Sequence, residues 1–122
     1  MAASIKLAVP TMGAAGLAAE RSGHFGHCDC FTVVDIVDGA VSEETTMIAN
    51  PPHEEGGCLR PVGLLAEAGC DAIVAAGMGM RPLMGFNQAG ITVYYDAEHP
   101  IVGDAARAVA SGDAPIMSAD QA

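Results

Sequence analysis

Residues 72–76 read Ala-Ile-Val-Ala-Ala, five apolar residues in a row behind a single carboxylate, Asp71. A strand with that pattern has no face to give to water and must be buried on both sides. It therefore belongs inside a covered sheet, and the flanking segments supply both sheet and cover. Residues 5–9 read as a first strand, which Pro10 should end, followed by a small-residue loop over 12–19. Residues 31–37 are rich in β-branched side chains and form a second strand. Asp38-Gly39 is a hairpin signal, so 40–48 should return antiparallel as a third strand, broken by Asn50-Pro51-Pro52. Helical spacing follows over 59–68, with Pro61 in the first turn and Gly69 as the stop. After the apolar run come a helix over 81–89 ended by Gly90, a strand over 91–95, and a helix over 101–111 ended by Gly112.

The order β-β-β-α-β-α-β-α predicts one α/β domain with a mixed sheet and about three helices over residues 1–113, then a loose tail over 114–122. Phe31, Val33, Ile73, Val74, Ile91 and Val93 should be buried. Strand 2 should run against strand 1, while right-handed crossovers make strands 4 and 5 parallel to it. Loops 12–30, 49–58, 77–80 and 96–100 then open on one edge of the sheet, where open α/β sheets bind ligands. Those loops hold all four histidines (His24, His27, His53, His99) and three of the four cysteines (Cys28, Cys30, Cys58). Met12, Met78, Met80 and Arg21 lie there too, with Arg60 and Arg81 in the adjoining first turns, whereas Cys70 falls at the opposite end.

Composition narrows what such an edge can bind. Fifteen carboxylates against five Lys and Arg give a net charge of −10. Nucleic acids and anionic membranes need a basic footprint, so neither is an expected partner. Trp is absent and there are only three Phe and two Tyr, which leaves few platforms for stacked bases. No apolar stretch approaches the ~20 residues of a membrane span, and residues 1–10 do not form a secretory signal. A cytoplasmic location with reduced cysteines is expected, and a domain this small and acidic can stay a monomer. The cysteine spacing matches neither a disulfide framework nor paired zinc knuckles.

Three clusters carry candidate chemistry. Ser22-Gly23-His24-Phe25-Gly26-His27-Cys28-Asp29-Cys30 is a glycine-permitted loop offering imidazole and thiolate groups, or else a tight turn with Cys30 packed as a small hydrophobe. His53-Glu54-Glu55-Gly56-Gly57-Cys58 is a second ligand-bearing loop, or a solvated acidic turn. Gly77-Met78-Gly79-Met80-Arg81 leaves the buried strand and opens a helix whose free N–H groups attract anions. Met78 and Met80 are soft groups for a ligand or plugs for the core. Read on these residues alone, the chain could hold a simple copper or zinc ion, with Cys28 and Cys58 as candidate metal ligands. It could also be a thiol-dependent enzyme with Cys28 or Cys58 activated by a histidine.

The stretches 22–31, 75–83 and 89–94 together resemble the dinitrogenase iron–molybdenum cofactor family of small nitrogenase-accessory and cofactor-carrier domains. The resemblance runs from about Ile5 to Asp113 and implies a ribonuclease-H-like fold with five strands in the order 3-2-1-4-5. It implies a carrier and not an enzyme. The positions that match the family's motifs are His24, Phe25, Gly26, Gly77 and Gly79, with Phe25 a packing anchor. A nuclease would need carboxylates on the first strand, and residues 5–9 contain none. The extra Cys and Met residues and the acidic balance are similar to members that carry a non-covalent molybdenum–copper sulfide cluster. The expected cargo is thus an anionic molybdenum-containing cluster, or thiomolybdate plus copper, with an iron–molybdenum cofactor as the alternative. Ser22, Gly23, His24, Phe25, Gly26, His27, His53, Gly77, Met78, Gly79, Met80 and Arg81 are the expected contacts. Protein partners in cofactor delivery are expected as well.

Overall fold

The computed structural model describes residues 4–12, 16–21, 30–49, 60–77 and 80–117, and of residues 49, 60, 61 and 81 the backbone course only. Within them the elements are β1 (Ser4–Thr11), a 3-10 turn (Gly16–Ala18), β2 (Cys30–Val37), β3 (Ala40–Ala49), α1 (Arg60–Glu67), β4 (Ala72–Ala75), α2 (Met80–Gln88), β5 (Thr92–Tyr95) and α3 (Val102–Ser111). The strands form one sheet in the order β3-β2-β1-β4-β5. β2 lies antiparallel to β1 and to β3, while β4 is parallel to both β1 and β5. The expected mixed sheet, strand order and three helices are all present.

Each face of the sheet has its own core. On one side α1 and α2 cover Ala8, Phe31, Val33, Ile73, Ala75 and Val93 with Leu65, Leu83 and Phe86. On the other, α3 sets Val102, Ala105, Ala106 and Val109 against Leu7, Val9, Val34, Ile36, Ala72 and Val74. β4 contributes to both cores and is buried along its whole length, as its unbroken apolar pattern requires. All six residues expected in the core are at most 4% exposed. The β2–β3 hairpin turns on Asp38 and Gly39, with φ of 53° and 82°. Both values belong to the mirror-image turn that matches strand twist, and Gly39 accepts its value without steric cost. The end of α1 is closed by Gly69 N–H donating to Ala66 O and Cys70 N–H to Leu65 O, and the matching bonds recur at Gly90 and Ile91 after α2 and at Gly112 and Asp113 after α3. Among the described residues no helix is long and apolar enough to cross a membrane.

Two expectations need correction. Pro10 does not end β1, which continues to Thr11. On the β4 side the last pair is Ala8↔Ile73, and the even-numbered residues face that way, as Lys6 O accepting from Asp71 N–H shows. The N–H that Pro10 lacks would therefore point past the end of the β1–β4 ladder, where nothing is lost. The segment after Asp113 does not begin as a loose tail. Pro115 O accepts from Tyr95 N–H at 2.7 Å, Met117 N–H donates to Val93 O at 2.7 Å, and Ile116 bridges Tyr94. Residues 114–117 thereby cover the open edge of β5, and Met117 is buried in the α1/α2 core. Residues 118–122 lie outside the described residues.

Phe86 is fully buried. Phe86→Ala should lower unfolding free energy by about 3–5 kcal/mol with an unchanged denaturant m-value. Gly39→Val, which forces a branched side chain into the left-handed region, should cost about 1–2 kcal/mol in the same urea titration.

Candidate functional site

The carboxyl ends of β1, β3, β4 and β5 and the start of β2 meet along one edge of the sheet, as the strand directions dictate. Of the five Lys and Arg in the chain, Arg21 lies beside the end of β1, Arg60 opens α1, and Arg81 is the second residue of α2. The other two are placed elsewhere: Lys6 reaches Ala68 O near the start of β4, and Arg107 pairs with Asp104 on α3 at 3.0 Å.

Where β4 leaves the sheet after Ala75, its place beside β1 is taken by Glu20 and Arg21. Arg21 bridges Thr11, and Met12 N–H donates to Glu20 O at 3.1 Å. On its other side Thr11 pairs with Cys30. Segment 22–29 therefore leaves and re-enters the sheet on opposite sides of one residue, with its two feet about 10 Å apart. Thr11 is fully buried; its hydroxyl lies 3.0 Å from Thr32 Oγ1 and 3.3 Å from Cys30 Sγ. Cys30 is 4% exposed, with its Sγ beside the Thr11 hydroxyl, so it is a packed thiol at the start of β2. Cys70 is likewise buried at the far end, where burial pushes its thiol pKa up against the pull of Lys6. Neither described cysteine is suited to be a nucleophile.

The other wall of the edge is the strand-to-helix exit of β4. Gly77 is described there, followed by Met80 at the first position of α2. Met80 is 46% exposed and Met84, one turn on, 50%, so Met80 is not a core plug. Met12, at the end of β1, is 53% exposed. Among the described residues the exposed large apolar side chains near this edge are methionines. Ser22, Gly23, His24, Phe25, Gly26, His27, Cys28, His53, Cys58, Met78 and Gly79 lie outside the described residues. Among the described residues no group of three His, Cys, Asp or Glu converges as a metal site.

The fourth histidine is engaged within its own loop. His99 Nδ1 lies 2.7 Å from Asp96 Oδ2, and that hydrogen bond, reinforced by the carboxylate's charge, raises the imidazole pKa. The role of Asp96 was not visible in the sequence, because a carboxylate after a strand carries no signal of what it will cap. Met12 was visible as an edge residue, but its exposure was not.

No curated protein matches this chain. Among solved structures, the apo form of the orange protein from Desulfovibrio gigas superposes with a TM-score of 0.79 at 24% identity, covering 93% of this chain and 92% of that one. A putative NifB protein from Thermotoga gives a TM-score of 0.72 at 23% identity, over 92% of each chain. At these identities the two structures establish a shared fold. The model of the family described as dinitrogenase iron-molybdenum cofactor matches residues 5–112. That match spans every element from β1 to α3, and the chain belongs to the dinitrogenase iron–molybdenum cofactor family.

Proposed function

We propose that this protein is a carrier for an anionic molybdenum-containing sulfide cluster, held without covalent attachment at the carboxyl edge of the sheet. Copper and molybdenum bridged by sulfide is the cargo that fits best. The observation that carries the reading is the placement of three of the chain's five cations around this edge in a protein of opposite net charge. An acidic protein repels an anion at long range, so a site for one must be locally electropositive. The start of α2 adds a partial positive charge of about half a unit and free N–H groups, with Arg81 in its first turn. Exposed Met80 and Met12 supply a polarizable, water-poor border suited to sulfide and to soft copper.

The histidines of segment 22–29 and His53 are the candidate donors of N–H groups to sulfide or oxo ligands, with Cys28 and Cys58 as possible direct ligands. Binding, not turnover, is the role assigned to this set, and a cofactor-receiving protein is the partner it implies. An iron–molybdenum cluster is the alternative cargo, favoured by the family's description. Both are anionic sulfide clusters and would use the same edge.

Reconstitution of the purified chain with tetrathiomolybdate and Cu(I), followed by desalting and a visible spectrum, tests the reading. Arg81→Glu should weaken retention by roughly tenfold, because it reverses a charge at the helix start. Cys70→Ser, at the far end, should retain the cluster like the native chain. Retention should also fall as salt is raised from low to physiological strength. Equal retention by Arg81→Glu and the native chain would remove the helix start from the site.

A further inference from the structure

The loop after β5 is organised around one carboxylate. Asp96 has a side chain only 5% exposed and receives three donors. Its Oδ1 accepts Glu98 N–H at 2.8 Å and His99 N–H at 3.2 Å, and its Oδ2 faces His99 Nδ1 at 2.7 Å. Asp96 N–H donates to Ala75 O at 3.0 Å, which fastens the loop to the end of β4. The closed turn presents two carbonyls to Arg21. His99 O accepts Arg21 Nε–H at 3.1 Å, and Pro100 O accepts Arg21 N–H. Glu20 bridges Ile101, and Val102 N–H donates to Ala19 O, so the contact extends along the chain on both sides. Arg21 also bridges Thr11 and directly precedes Ser22. A continuous row of bonded backbone, Cys30 to Thr11 to Arg21 to Pro100, crosses the edge and ends on this turn.

We propose that Asp96 and His99 are positioning residues whose contact fixes Arg21 beside the end of β1, so that this part of the binding edge is preorganised before cargo arrives. The significance for binding rests on the carrier reading above; the positioning itself does not. A half-exposed His–Asp pair is commonly a weak surface contact. This pair differs because its carboxylate is buried and simultaneously holds two backbone N–H groups of the turn that grips Arg21. Removing the imidazole frees a turn whose carbonyls are the docking points, and Arg21 loosens with it.

The charged groups around His99 give the contact a pH dependence. Asp96 raises its pKa by hydrogen bond and charge, and Glu98 from the same loop and Asp104 from α3 act in the same direction. Arg107 from α3 and Asp113 beyond it line the same groove as His99. Because the native pKa lies above the ordinary 6.5, the contribution is complete below that value. It is lost as pH rises through the native pKa. A neutral imidazole can still donate from Nδ1, so the contact weakens and does not open.

Hydrogen exchange of the ligand-free chain, read by NMR as protection factors, tests this directly. His99→Ala and Asp96→Asn should each lower protection of the Arg21 amide by roughly threefold or more, while Ile73 and Val93 in the sheet stay as protected as before. In the native chain Arg21 protection should fall between pH 6 and pH 8.5, and in His99→Ala that fall should vanish. The same variants should take up tetrathiomolybdate and Cu(I) more weakly. Unchanged Arg21 protection in His99→Ala, or an identical pH profile in both proteins, would overturn the proposal. Altered protection in a protein that takes up no cluster, native chain included, would sustain the positioning role and refute the carrier reading instead. Should Asp96→Asn loosen the whole sheet, His99→Ala decides the matter alone, since His99 is half-exposed and outside both cores.

Discussion

Much of this molecule follows from β1 bonding to two neighbours of opposite direction. All eight of its residues pair antiparallel with β2, and Leu7 and Ala8 also pair parallel with β4. Parallel neighbours need crossovers, which place α1 and α2 on one face and leave their entry loops at the carboxyl edge. The antiparallel neighbour sends its own incoming loop to the same edge. A fully parallel sheet would put at that edge only the loops that precede helices. The antiparallel step adds the connection between β1 and β2, which contains the densest group of His and Cys in the chain. The ladder between β1 and β4 is short, and its early end opens the gap beside Thr11 that Glu20 and Arg21 fill. One strand's two ladders thus determine where the connection between β1 and β2 is anchored and what stands next to its anchor.

Charge separation is the second consequence of that topology. A chain with so many carboxylates can present a positive region only if its few cations are concentrated and the carboxylates there are occupied. Asp96, close to the edge, is buried and accepts three hydrogen bonds, whereas Glu20 and Glu98 beside it are exposed. Arg21 spends its Nε–H on a backbone carbonyl, which takes no charge from it, so the guanidinium stays cationic where it stands.

The sequence was most informative where patterns are local and strong. The apolar run of β4, the β-branched run of β2 and the Asp38-Gly39 turn each name their own structure, because burial on two faces, strand packing and positive φ leave few alternatives. Once those were in place, strand directions followed from chain connectivity, and with them the edge. Pro10 shows where local rules stop. Its cost depends on whether a neighbour waits for its N–H, which is a fact of tertiary structure. Residues 114–117 show the same limit from the other side: their pairing comes from the open edge of β5 and not from any propensity of Ala-Pro-Ile-Met. For the site, sequence placed Gly77, Met80, Arg81 and Arg21 at one edge. It did not distinguish Cys30, which the strand's alternation turns into the core, from Cys28 two residues earlier, which lies outside the described residues.

The geometry also explains why a carrier would be built this way. A pocket closed by rigid walls holds its cargo but releases it slowly, because release requires the walls to deform. Here the rigid part is a floor: five strands, two buried faces and a row of backbone bonds from Cys30 to Pro100. The described residues on either side of segment 22–29, Arg21 and Cys30, are both held in that floor. A connection whose two ends are already fixed loses less entropy on ordering than a free chain. In the carrier reading proposed above, such anchoring lowers the cost of taking up cargo, and the turn closed by Asp96 and His99 is what holds the anchor at Arg21.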